Sequence, residues 1–497
     1  MNNRPKNPAN AIRVPGTDRL FFRRRILLVL LTLLAMTLMA ISSINVALPS
    51  IESSIGASNT DIQWMLSGYA LSFGIVLVAA GRVGDVLGRS GAFVIGLALF
   101  TVASAACAAA SDPALLNTMR IVQGVGAGIA SPQVNGLILQ YFEGRQRARA
   151  FAMFGLTVSV AVAIAPALTG LLIGWLGPDL GWRASFLWNV PLGLVSIILA
   201  LRWLPFGTER TRRLRRKEGG YVSTRIDLDP VGMLLLALTV LCILLPFMIK
   251  QPVWFILLAV GAGLAWAWVA WERNYQEAGR EPMVDLRLFR YRSFTNATVI
   301  SSVQFLGGTS VFAILALYMQ NGLGVAALLV GLIGLPNAIA SAVASVWTGE
   351  HVLTSGRKIV LGVFGCYVVG LIICIVLAQF MGPGGAINPM WMAVPLILTG
   401  IGVGGFNSAN QTLSQADIPP AIGGTAGAVK QVGERIGTAV GNAMTTAVLF
   451  ALAATSWTAG FTGAYALITL IIIVAMILAF IDLRQLGSGV KAPKVPA

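Results

Sequence analysis

The chain of 497 residues is poor in cysteine, with four, and in histidine, with one; only 11% of it is charged, and its 19 acids are outnumbered by 35 lysines and arginines. Each scarcity excludes something. Cys107, Cys242, Cys366 and Cys374 all lie in apolar stretches, and the last two, on one predicted helix, sit about 12 Å apart along its axis, too far to bridge. A disulfide framework is therefore not expected. His351, alone in a polar segment, reads as a solvated residue with no second histidine to share a metal. The polar segments hold no paired acids and no nucleophile constellation, so an enzyme is not expected. A G-x-x-x-x-G-K-[ST] phosphate loop is also missing, so no cofactor is expected and the energy source is not nucleotide hydrolysis at such a loop.

What the chain has is apolar length. Hydrophobic residues make up 56% of it, which points to an all-α, multi-pass membrane protein. Charge-free runs of spanning length occur at 26–51, 62–81, 90–111, 121–142, 150–178, 184–201, 230–249 and 251–271. Three longer runs, 293–349, 359–416 and 436–481, hold two spans each, broken at NGLG, GPGGAINP and ATSWTAG. The sum predicts 14 transmembrane helices, with both termini on one side. Most of the lysines and arginines cluster in the tails and in alternate loops, so both termini are expected in the cytoplasm. The net charge of +16 is then mainly a topology signal, with basic ends at anionic membrane lipids and no nucleic-acid partner expected. The first apolar run is too long for a cleaved signal peptide. Arginine outnumbers lysine 28 to 7, pointing to a GC-rich bacterial source.

Several segments carry more than hydropathy. Residues 81–90, GRVGDVLGRS, read as a tight charged turn: Gly81, Gly84 and Gly88 free the backbone, and Asp85 and Arg89, at i and i+4, pair with each other or with a neighbouring helix end. The fourth span contains LNTMRIVQGVGAG, which puts Arg120, with Gln123 and Gly124, about 10 Å inside the apolar slab. The first span ends SSINVALPSI, the second opens DIQWMLSGYALSF, and the fifth holds AVAIAPALTG. GWRASFLWNVPLG leads into the sixth, and REPMVDLRLFRYRSF precedes the ninth.

In this order the segments resemble the 14-helix drug:proton antiporters of the major facilitator superfamily. The resemblance implies a major facilitator fold of two six-helix halves, 26–204 and 294–482, with a two-helix insertion at 228–272. A basic cytoplasmic loop (205–227), a cytoplasmic surface linker (273–293) and cytoplasmic tails (1–25 and 483–497) complete the plan. It further implies that Asp85 docks on the start of span 13, making Gly81, Asp85, Gly88 and Arg89 a conformational latch, and that Pro166 and Gly170 form a hinge in span 5. TGEHVLTSGRK, 348–358, echoes the 81–90 turn and suggests parallel repeats. The chain departs from the pattern at Val86 and Ser90, at Ala161, Ala165 and Thr169, and at Ala40 and Ser67, where relatives carry acids.

The most informative charges lie in span 13, GGTAGAVKQVGERIGTAVG, which places Glu434 about 15 Å deep with Lys430 one turn below and Arg435 beside it. Glu434 is read either as a proton or substrate site or as half of a static ion pair. Arg120 is a coupling residue or a helix brace, and Asp61 is a proton carrier or a solvated acid at a helix start. Asn45, Tyr69, Gln304, Phe305, Asn407 and Asn410 are candidates for the substrate cavity. Without the acids at 40 and 67, neutral, zwitterionic or anionic amphipaths are preferred over dications. The expected function is a monomeric proton-coupled exporter of amphipathic small molecules or drugs. The rivals are an exporter of a lipid or cell-envelope metabolite, an importer, and a transport-silent scaffold or sensor.

Overall fold

Apolar runs of this length form helices because only a helix satisfies its own backbone hydrogen bonds away from water. The computed structural model describes residues 11–14, 19–206, 227–249, 251–381 and 387–489; the basic run RTRRLRRK at 210–217 and residues 490–497 lie outside them. The helices are α1 Arg23–Ile55, α2 Asn59–Leu87, α3 Arg89–Ala108, α4 Pro113–Tyr141, α5 Gly144–Leu187 and α6 Asn189–Trp203. Then come α7 Pro230–Ile249, α8 Ile256–Glu277, α9 Arg292–Gly308 and its short continuation α10 Val311–Leu317. The chain ends with α11 Ala327–Ala378, α12 Ala393–Ser414, α13 Gly423–Ala453 and α14 Trp457–Leu486. Among the described residues, 11 helical segments are long and apolar enough to cross a membrane. Two of these are too long for one crossing of a slab about 30 Å thick. The first, Gly144–Trp203, breaks at Gly177 (φ 81°), after which the chain folds back so that Gly181 packs on the backbone of Ile173; the second, Leu329–Ala378, breaks at Ser355.

Two large apolar cores form. One gathers α1 to α6 around Leu33, Phe93, Phe100 and Phe151; the other gathers α9 to α14 around Phe364, Tyr367, Phe406 and Tyr465. The first turns of α13, through Ala426, Ala428 and Val432, enter the first core. This crossing fixes one half on the other.

The structure corrects two local expectations. The turn at 81–90 is almost entirely helix: α2 runs to Leu87, α3 starts at Arg89, and Gly88 (φ 129°) is the only residue between them. The echo at 348–358 is likewise helical apart from Ser355. In the linker before α9, Met283, Val284, Leu288 and Phe294 are buried in the first core, and Phe289 stays exposed. In the N-terminal tail, β1 Ala11–Arg13 pairs antiparallel with β2 Leu20–Phe22.

α7 packs against α2 and α13, and α8 packs on α7. Their shared end is fixed by two fully buried carboxyl groups that contact each other, Asp229 and Glu272. Asp229 Oδ1 accepts from the Gly232 amide (2.9 Å) and Trp271 Nε1 (2.8 Å), and Glu272 Oε1 accepts from Trp268 Nε1 (2.9 Å). The amides of Met283 and Val284 reach the same pair, so the linker is held there too. Asp229→Ala leaves buried N–H groups without an acceptor and should cost about 3 kcal/mol. Glu272→Gln keeps the shape and the oxygen that accepts from Trp268 and sets a neutral amide beside Asp229, so it should change stability by less than about 1 kcal/mol. Thermal unfolding in detergent checks both.

Candidate functional site

The halves approach closely where α2 meets α13. A Cβ at Gly81 would lie 2.9 Å from Gly424 O, so the two backbones touch. That proximity brings Asp85 to the start of α13, where its carboxylate accepts from Gly424 N (3.1 Å), Thr425 N (2.8 Å) and Thr425 Oγ1 (2.9 Å). A helix start offers free N–H groups and a partial positive charge, so the anion is well matched. Arg89 pairs with Asp85 at 2.7 Å and donates to Gly136 O, Gln140 Oε1, Pro420 O and Ala421 O. Both side chains are buried, in the geometry that makes charge-assisted hydrogen bonds strong. Among the described residues the second half has no equivalent: Arg357 bonds Asp482 Oδ2 (2.8 Å) and Ser293 Oγ (2.9 Å), both within its own half.

Deeper along α13, Lys430 pairs with Glu434 Oε1 at 3.1 Å, and Ser301 Oγ on α9 donates to the same oxygen at 2.6 Å. Lys430 Nζ also donates to Gln411 Oε1 on α12, and Gln411 Nε2 donates to Asn135 Oδ1 on α4 (2.7 Å). A continuous chain thus runs from Glu434 to the opposite half. Ser131 to Gln431 (2.8 Å) and Ser159 to Ser341 (2.6 Å) also join the halves. Asn135, Ser131 and Ser301 were not anticipated, since a lone Asn or Ser in an apolar run gives no sign of its partner. Arg435 points the other way from Glu434, with its guanidinium 4.7 Å from the centre of the Phe73 ring on α2.

Arg120 is almost fully buried without a carboxylate. It donates to Met65 O (3.1 Å), Ala40 O (3.4 Å) and Gln123 Oε1 (2.7 Å), and lies 4.5 Å from the Tyr69 ring centre. Gln123 passes the contact on to Ser104 (2.7 Å), while Gly124 lets α4 rest on the Tyr69 carbonyl. Asp61 closes a capping box with Ser58 at the start of α2 and lies apart from these charges. Pro166 lies inside α5 but the non-helical backbone there is at Gly177, and Gly170 faces open space. The close contact between halves on α5 is about two to three turns before Pro166, at Ser159 and Gly155. Of the cavity candidates, Tyr69, Gln304 and Asn410 are buried in packing, whereas Asn45, Phe305 and Asn407 retain exposure.

Two helical halves that touch through a helix-start carboxylate, with ionised side chains in the middle, define the architecture of a multi-pass membrane transporter. The chain belongs to the Major Facilitator Superfamily, whose sequence pattern matches residues 28–442. It is 31% identical over 423 residues to the probable actinorhodin transporter of Streptomyces coelicolor, covering 84% of this chain and 70% of that protein. It is 33% identical over 376 residues to the uncharacterized MFS-type transporter EfpA of Mycobacterium tuberculosis, covering 72% of this chain and 64%, under two thirds, of that one. The drug efflux pump JefA of the same organism is 30% identical over 65% of this chain and 61% of its own length. Among solved structures, the proton:xylose symporter XylE shares the fold with a TM-score of 0.65 at 14% identity, covering 95% of this chain and 97% of that one.

Two outcomes test the geometry. Asp85→Asn replaces a charged acceptor of two backbone N–H groups by a weaker neutral one, so the halves should part more often at this face. In a cysteine-free background, Ser131→Cys should then react with a maleimide at least about fivefold faster than with Asp85 intact. Arg120→Lys keeps the charge but loses the fork that spans three acceptors, and a loss of about 2 kcal/mol in thermal stability is expected.

Proposed function

We propose that the protein is a proton-coupled exporter of amphipathic small molecules across the cytoplasmic membrane, working as a monomer by alternating access. The observation that carries this reading is the chain Asn135, Gln411, Lys430, Glu434 and Ser301, which links an acid in the apolar slab to the opposite half. A proton arriving at Glu434 removes the anion from Lys430. Lys430 then keeps only Gln411, and the Gln411 to Asn135 contact across the halves loosens with it. Among the described residues, the hydrogen bonds between α1–α6 and α9–α14 run from Asp85 and Arg89 at the start of α13, through Ser131 and Asn135 on α4, to Ser159 midway along the first span of α5. Proton release would restore that closure, and the membrane proton gradient would supply the energy without a bound cofactor.

The names of the relatives support efflux: a drug efflux pump, a multidrug resistance protein and a probable transporter of actinorhodin. We read 14 crossings by counting the segments broken at Gly177 and Ser355 twice and adding α4, which is 29 residues long but less apolar. The six-helix halves then flank α7 and α8 as an insertion, with both termini in the cytoplasm by the placement of basic residues and lipids around the apolar faces.

Proteoliposomes under an imposed pH gradient test the proposal, with uptake of drug-like amphipaths as the readout. Glu434→Gln is expected to lose at least about tenfold of the gradient-driven rate while still binding substrate. Wild-type rates in the mutant would move coupling elsewhere. Absence of gradient-driven flux for any compound in the wild type would favour a uniporter, a lipid exporter or a scaffold.

A further inference from the structure

The middle of the bundle carries more positive than negative charge. Arg120, Lys430 and Arg435 are cations there, and Glu434 is the one acid of this cluster, already engaged by Lys430 (3.1 Å) and Ser301 (2.6 Å). Arg120 is closed off by its backbone and Gln123 acceptors. Arg435 is different. Among the described residues its guanidinium makes no hydrogen bond and no ion pair, and it lies over the Phe73 ring, 4.7 Å from its centre. It is only partly buried, so its N–H groups reach accessible space. It stands about 18 Å along α13 from Gly423, in the middle of the slab rather than at its edge.

A guanidinium has five N–H donors in a planar fork, and leaving them unmatched away from bulk water is costly. With its face over an aromatic ring, the fork keeps its edges free for a planar oxyanion. We propose that Arg435 is the recognition residue for the transported molecule and that this molecule is an amphipathic organic anion bearing a carboxylate or sulfonate. The inference rests on the exporter reading and names its substrate class. Arg435 binds the anionic head while Glu434, on the next residue, handles the proton.

The test uses the full chain in nanodiscs of zwitterionic lipid and two probes with one body, 6-(1-naphthyl)hexanoate and 6-(1-naphthyl)hexylamine, with Kd from isothermal titration. Wild type is expected to bind the carboxylate at least about tenfold tighter than the amine. Arg435→Gln should weaken the carboxylate by about tenfold to a hundredfold and leave the amine unchanged or tighter. Arg435→Lys, which keeps the charge, should lie between them. Equal affinity of wild type for both probes, or a carboxylate Kd unmoved in the variants, overturns the proposal. Should Arg435→Gln fail to fold, the wild-type comparison and Arg435→Lys still decide it. Flux separates the two readings: gradient-driven flux of a neutral amphipath without anion preference leaves the exporter standing and removes this site. Arg435-dependent anion binding without any flux does the reverse.

Discussion

One carboxylate on two backbone N–H groups holds this structure in its present form. Asp85 reaches across the interface to Gly424 and Thr425, and that contact exists only because the backbones at Gly81 and Gly424 touch. The arrangement is strong because the acceptor is charged, the donors have no other partner at a helix start, and water is kept out. It is also reversible, because all three donors would be satisfied by water once the halves part. A hydrophobic interface of equal strength would have no such alternative partner, and opening it would expose apolar surface.

The asymmetry between the halves follows from one position. Gly88 and Arg89 correspond to Gly356 and Arg357 in the echo, and four residues before the arginine the first half has Asp85 where the second has Leu353. Without an acid of its own, Arg357 takes Asp482 from α14 and stays within its half. Among the described residues, only the first half therefore sends a carboxylate to the other. The turn at 81–90 thus bridges the halves, and its echo braces one half internally.

Much of the fold is legible in the sequence because hydropathy integrates over about 20 residues, and a charge-free run of that length has few alternatives to a membrane helix. The destination of Asp85 was implied by family resemblance; spacing alone offered Arg89 or a helix end, and the carboxylate takes both. Local detail was less readable. Three glycines in 81–90 look like a loop, yet whether a glycine turns the chain or admits a neighbour depends on packing, and only Gly88 turns it. Which amides face a cavity is equally hidden: Gln304 and Asn410 are buried while Asn45 and Asn407 are not, a distinction set by helices far away in sequence. Asp229 and Glu272 border apolar runs and resemble ordinary inside-facing charges. Their pairing depends on α7 and α8 folding against each other.

α13 brings the separate functions onto one rigid element. Its first turn receives Asp85, its second and third carry Lys430 and Glu434, and the next residue is Arg435. Successive residues on a helix point about 100° apart, so Glu434 faces α9 through Ser301 while Arg435 faces α2 across Phe73. In the proposed mechanism, a proton at Glu434 and an anion at Arg435 would thus act on opposite sides of the same helix. Any tilt or rotation of α13 that released Lys430 from Gln411 would also carry Arg435 away from Phe73 and pull on the N–H groups that hold Asp85. Coupling needs no long relay in this arrangement, because a rigid helix cannot move one of the three sites and leave the other two in place.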